Sequence, residues 1–247
     1  MVALPRYASG PGAGRPALLV HGLSSDAAGW WRVQEHLVGA GWRVTAVDLR
    51  GHGRAPRADS YGMGDYAADL AEVRDEGGPW DVVLGHSLGA SSSLLAAVDR
   101  PGWSRRLVLI DPVVSIDASG LASIGADALA EKSAATLESI AAAHPRWHRR
   151  DIEAKVAALE RVDAAAIALT VADPSGWQLR DALASVPVPT LLIAADPDLG
   201  GLLDPGHAGE AAAANSRITA ASVAGAGHSV HREDADALLS LVDRFLG

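Results

Sequence analysis

The segment Asp81–Ala97, DVVLGHSLGASSSLLAA, decides the fold. It reads as a buried strand, then Gly85-His86-Ser87-Leu88-Gly89, then a helix of small and apolar residues. A Gly-x-Ser-x-Gly at a strand-to-helix junction drives the serine into a tight turn, where the glycines remove the crowding that Cβ atoms would cause. The hydroxyl of Ser87 is then pushed outward at a helix N-terminus, where free N–H groups favour developing negative charge.

Working outward, short apolar runs alternate with helical stretches. Strands are expected at Ala17–Val20, Arg43–Leu49, Asp81–Gly85, Arg106–Ile110, Thr190–Ala195 and Ile218–Val223, with helices at Trp30–Ala40, Asp65–Asp75, Ser87–Asp99, Gly206–Asn215 and Asp234–Phe245. That alternation predicts an α/β fold whose mostly parallel sheet is covered by helices on both faces. From Asp117 to Val186 the rhythm breaks: no strand is evident, and Ile152, Val156 and Leu159 fall at helical spacing. The expected organisation is therefore a core of residues 1–116 and 187–247 with a helical lid, 117–186, inserted over the sheet edge where open α/β sheets bind ligands.

Composition narrows the function. The 247 residues are 49% hydrophobic and 21% charged, as in a globular protein, and the formal net charge of -9 argues against nucleic acid as a partner. The longest apolar runs are strand-sized, so no membrane association is expected. Met1–Tyr7 lacks the pattern of a secretory leader and the chain has no cysteine, so a cytoplasmic setting is the expectation. His144 and His148 have a metal-pair spacing, but Pro145 intervenes and no HExxH glutamate accompanies them, so no metal site is expected.

A serine hydroxyl needs a base to take its proton. His228, in the loop Ala224–His228 after the last strand, is best placed, with His231 close by as the alternative; His86 beside the serine should point away, and His21 should stabilise its own loop. Trp147 and Trp177 lie in the expected lid and are candidates to line a substrate pocket.

The chain resembles the α/β-hydrolase superfamily over nearly its whole length. The resemblance rests on HGLSSD (His21–Asp26), VDLRGHGRA (Val47–Ala55), GHSLG, LVLIDP (Leu107–Pro112) and GAGHSVHRE (Gly225–Glu233), in that order. It departs at the N-terminus, where few residues precede Ala17 to supply the family's antiparallel start. The resemblance implies a Ser-His-acid triad without a cofactor, and an oxyanion hole from the N–H groups of Leu23 and Leu88. The acid has three candidates. The family's common spacing selects Asp198, the ADPDLGG turn resembles a variant that selects Asp196, and Asp111 follows the preceding strand. Asp196 is preferred here. The implied activity is hydrolysis of an ester-like bond in a small to medium apolar substrate; carbon–carbon bond hydrolases, thioesterases, lactonases, perhydrolases and acyltransferases share the constellation, as would a non-catalytic ligand binder. Oligomeric state is not legible.

Overall fold

The computed structural model describes residues 1–247. Seven strands form one sheet: β1 (Arg6–Ser9), β2 (Pro16–Val20), β3 (Arg43–Val47), β4 (Val82–His86), β5 (Leu107–Ile110), β6 (Thr190–Ala194) and β7 (Ile218–Ser222). Their order is β1-β3-β2-β4-β5-β6-β7, parallel except where β1 pairs antiparallel with β3. The six anticipated strands are all present, each ending within two residues of its expected place. The seventh, β1, is the antiparallel start, reduced to four residues.

Eleven helices accompany the sheet: α1 (Trp31–Gly39), α2 (Met63–Ala71), α3 (Leu88–Asp99), α4 (Ala118–Ser133), α5 (Leu137–Ala143), α6 (Arg149–Arg161), α7 (Ala164–Thr170), α8 (Arg180–Ser185), α9 (Pro205–Ala214), α10 (Val230–Glu233) and α11 (Ala235–Leu246). Because strand side chains alternate between faces, each central strand feeds two cores. Leu18, Val83, Leu107, Leu109 and Leu192 join one with α2 and α3; Leu19, Leu84, Val108, Ile110 and Ile193 join the other with α1 and α11. Burial on both faces explains why these strands read as continuous apolar runs.

Between β5 and β6 the chain is helical throughout, as anticipated. The stretch is not uniform, however: α8 packs against α3 and α9, so it serves as a crossover helix of the core. Helices α4 and α6 and the Pro174–Trp177 turn instead contribute residues to the lining of a cavity, among them Ile124, Glu131, Lys155 and Trp177.

Small residues let α3 lie close to the sheet. A Cβ on Gly89 would run into the carbonyl oxygens of Val20 and His21, and one on Gly85 would lie 2.6 Å from Gly89 O. Both glycines of the GxSxG segment are thus required by backbone-to-backbone approach. The VDLRGHG segment is also structural. Buried Arg50 forms a two-pronged ion pair with Asp69 at 2.7 and 2.8 Å, and Asp48 accepts from Tyr7 Oη, Ala27 N and Arg54 N.

Candidate active site

Three non-glycine residues have positive φ, and all follow C-terminal ends of neighbouring strands: Ser24 at 58°, Ser87 at 51° and Asp111 at 44°. Such conformations cost on the order of 1–3 kcal/mol each and persist where surrounding structure enforces them. They converge on one sheet edge. For Ser87 the enforcing elements are β4, buried along its whole length, and α3, whose first turn bonds back to Ser87 O through Ala90 and Ser91 N–H.

The loop after β7 brings His228 to this edge. Its Nδ1 donates to Asp111 Oδ2 at 2.6 Å, and since a carboxylate only accepts, the neutral ring takes the tautomer whose Nε2 carries no proton. Asp111 is fully buried; its two oxygens also accept from Ala195 N, Leu202 N and Leu203 N at 2.8–3.1 Å. Four donors on one buried carboxylate fix its orientation.

The preference for Asp196, and the alternative Asp198, are corrected by this geometry. Asp196 faces the other way: it accepts from Asp198 N at 3.0 Å and Gly225 N at 2.8 Å, while its own N–H bonds Ala226 O. It ties the histidine loop to the end of β6. Asp198 is exposed. The β6 loop therefore donates backbone N–H groups to Asp111, and neither Asp196 nor Asp198 bonds His228.

Leu88 is the first residue of α3 and Leu23 lies in the turn after β2; neither N–H has a backbone acceptor. Leu23, Ser87 and His228 line one cavity of about 410 Å³. Trp177 lines it too, held by Nε1 donating to Thr170 O. Trp147 does not. It stacks on His144 with ring centroids 3.8 Å apart and borders a neighbouring cavity that also reaches His228. His148 caps α6, and no cluster of potential metal ligands exists.

The expected apolar pocket is only half realised. Leu23, Val113, Ile124 and Trp177 supply apolar lining, but Glu131, Lys155 and Arg232 line the same cavity. Lys155 Nζ contacts Glu131 at 2.8 Å and Ser24 O at 3.2 Å. Burial opposes ionisation of Glu131, yet His144 and the Lys155 charge hold its carboxyl at about 2. The expected helical stripe on α6 missed these groups. Its buried face carries Asp151, Lys155, Ala158 and Leu159, so two charges sit on the stripe that packs inward.

Histidines surround the site from below. His86 Nε2 donates to His228 O at 2.9 Å, supporting the histidine loop, and lies 4.7 Å from the His231 ring. His21 Nδ1 donates to Gly22 O and its Nε2 accepts from Leu49 N, so it braces its own loop. Burial holds His86 and His231 well below the usual imidazole range, lowers His21, and pushes His52 down to about 3. The unfolded chain binds protons on these four rings below about pH 6.5 while the folded chain does not, so stability is full above that pH and is lost as pH falls. Each ring can contribute roughly 1.4 kcal/mol per pH unit between its unfolded and folded values. Tm followed by circular dichroism should therefore be level from about pH 7 to 8 and drop steeply toward pH 5, with a shallower drop in His52→Gln. An unchanged Tm at pH 5 would contradict the neutral burial of these rings.

No helix is long and apolar enough to cross a membrane. The model of the Alpha/beta hydrolase family matches residues 17–241. Among curated proteins, the chain is 35% identical to lipase LipV of Mycobacterium tuberculosis over 44% of its length, a match that spans only 42% of that relative. It is 27% identical to N-formylmaleamate deformylase of Pseudomonas putida over 95% of this chain and 90% of the relative. Among solved structures, E-2-(acetamidomethylene)succinate hydrolase superposes with a TM-score of 0.82 at 24% identity, covering 98% of this chain and 94% of that one, which is a likeness of fold.

Proposed function

Since the chain belongs to the alpha/beta hydrolase family, we propose that it is a serine hydrolase that cleaves an ester-like bond of a small molecule through an acyl-enzyme. The observation carrying this reading is the 2.6 Å bond between His228 Nδ1 and Asp111 at the cavity that Ser87 lines. Asp111 fixes the tautomer that leaves Nε2 free as base. Ser87 Oγ attacks the carbonyl carbon as His228 takes its proton, and the N–H groups of Leu23 and Leu88 hold the oxyanion. Collapse of the tetrahedral species expels the alcohol, protonated by His228. Water, deprotonated by the same ring, then attacks the acyl-enzyme and frees Ser87.

Serine at position 87 separates this scheme from opening of epoxides or displacement of halide by a carboxylate nucleophile. Similarity to a deformylase along nearly the whole chain favours one second reading, that the scissile bond is an amide; the triad would act in the same way. A fluorophosphonate probe should label Ser87, located by peptide mass spectrometry, and a panel of 4-nitrophenyl esters, lactones and N-formyl amides should show which bond turns over. A folded protein that the probe leaves unlabelled would refute the hydrolase and favour a ligand-binding role.

A further inference from the structure

Arg232 is a buried cation without a carboxylate. It lies on α10, four residues after His228, and is 4% exposed. Its Cζ sits 4.6 Å from the centroid of the Trp147 ring and its Nη2 donates to Ser25 Oγ at 2.9 Å, while Nε has no hydrogen-bond partner. Of the neighbouring charges, Lys155 pairs with Glu131 at 2.8 Å and Arg161 with Asp26 at 3.2 Å, while Arg32 lies 3.6 Å from Asp151, whose buried Oδ2 has no hydrogen-bond partner. Glu131, Asp151 and Asp26 act on Arg232 only at a distance, and burial pulls against its charge. A guanidinium stays protonated nonetheless. An ionised group buried without a contacting counter-ion is costly, so such groups are paired when the site is complete.

Arg232 lines the same cavity as Ser87 and His228. Ser24, which also lines the cavity and precedes the Ser25 that accepts from Arg232, has a buried hydroxyl without a partner and a left-handed backbone. We propose that this part of the cavity, formed by Arg232 with Ser24 and Ser25, recognises a carboxylate on the substrate, so that the enzyme acts on short acyl compounds bearing one free carboxylate near the scissile carbonyl. The proposal rests on the serine-hydrolase reading of Ser87. A single unmatched positive charge calls for a monoanion. A more highly charged phosphate would meet Glu131 and Asp127, which line the same cavity. The planar guanidinium suits a carboxylate's two oxygens.

The test compares matched substrates. On the acyl side, 4-nitrophenyl hemisuccinate is set against 4-nitrophenyl 4-methylpentanoate, which replaces the carboxylate with an isopropyl group. On the leaving-group side, 4-acetoxybenzoate is set against its amide. In at least one pair the wild type should favour the anion in kcat/KM by about tenfold or more, the scale of a charge-assisted hydrogen bond. Arg232→Gln should abolish that ratio, Arg232→Lys should keep part of it, and Ser25→Ala, which frees the guanidinium from its acceptor, should lower it. Calorimetry of monomethyl succinate with Ser87→Ala should show binding that Ser87→Ala/Arg232→Gln lacks, with circular dichroism as the folding control. An anionic preference absent from both pairs, or one indifferent to Arg232→Gln in folded protein, overturns the proposal. If Ser87 resists the fluorophosphonate and no ester turns over, the hydrolase reading fails, and calorimetry alone then decides whether the carboxylate site exists.

Discussion

Ser87→Ala should leave the protein folded and remove nearly all turnover, with kcat falling by roughly 10⁶-fold. Alanine keeps the Cβ, so the strained φ of 51° and the packing of α3 on β4 are unchanged; only the oxygen that bonds the acyl group is lost. Leu23, Leu88 and the cavity walls remain. On their own, oxyanion donors and binding recover about 10³–10⁴ over the uncatalysed reaction, far short of the full triad. Hydrolysis of the best ester in the panel measures the loss, and circular dichroism with a melting curve confirms the fold. Undiminished turnover in a well-folded variant would remove Ser87 from the mechanism.

Asp111→Asn is expected to lower kcat by about 10⁴-fold, because an amide can present its NH2 to His228 and favour the tautomer with its proton on Nε2. Stability should fall as well. One oxygen of Asp111 accepts from His228 and Leu202, the other from Ala195 and Leu203. Asparagine has a single carbonyl oxygen, so its NH2 must face at least one donor, an unsatisfied buried contact costing about 1–3 kcal/mol. Asp198→Asn, at an exposed position, should be close to wild type. Asp196→Asn should cost less than Asp111→Asn, through loosening of the Gly225 loop. Steady-state kinetics beside chemical denaturation separates the two effects. A folded Asp196→Asn variant as inactive as Asp111→Asn would return the acid to the end of β6.

The difference between those aspartates shows where sequence reading stops. The strands were legible because a sheet covered on both faces demands unbroken apolar runs, and the GHSLG turn was legible because its glycines answer to backbone contacts within one local unit. The acid depends on which of two loops bends toward His228. LVLIDP and LLIAADPDL each place an aspartate after a buried strand, and neither spacing encodes the bend. A clue was nonetheless present: Asp111 joins the unbroken apolar run Leu107–Ile110 to a proline, a setting in which a buried carboxyl group needs hydrogen-bond partners. Strand β1 is four residues long with no buried position, so RYAS offers no apolar run to read. The charged lining of the cavity was missed because Ile152, Val156 and Leu159 suggested an apolar face, while the inward stripe of α6 runs through Asp151 and Lys155. Arg232 could not be found by period at all, since α10 is a single turn.

The chain order of the four groups that would act on the carbonyl has a kinetic meaning. Leu23 follows β2, Ser87 follows β4, Asp111 follows β5 and His228 follows β7, so their meeting requires strands from both ends of the chain to be paired and in register. Contacts so distant in sequence repay their loop-closure entropy only after most of the topology exists. The backbone hydrogen bonds within the helices between β5 and β6 are local and can form without that pairing. During refolding, far-ultraviolet ellipticity should thus recover ahead of hydrolase activity, which makes turnover a reporter of the completed sheet rather than of helix content.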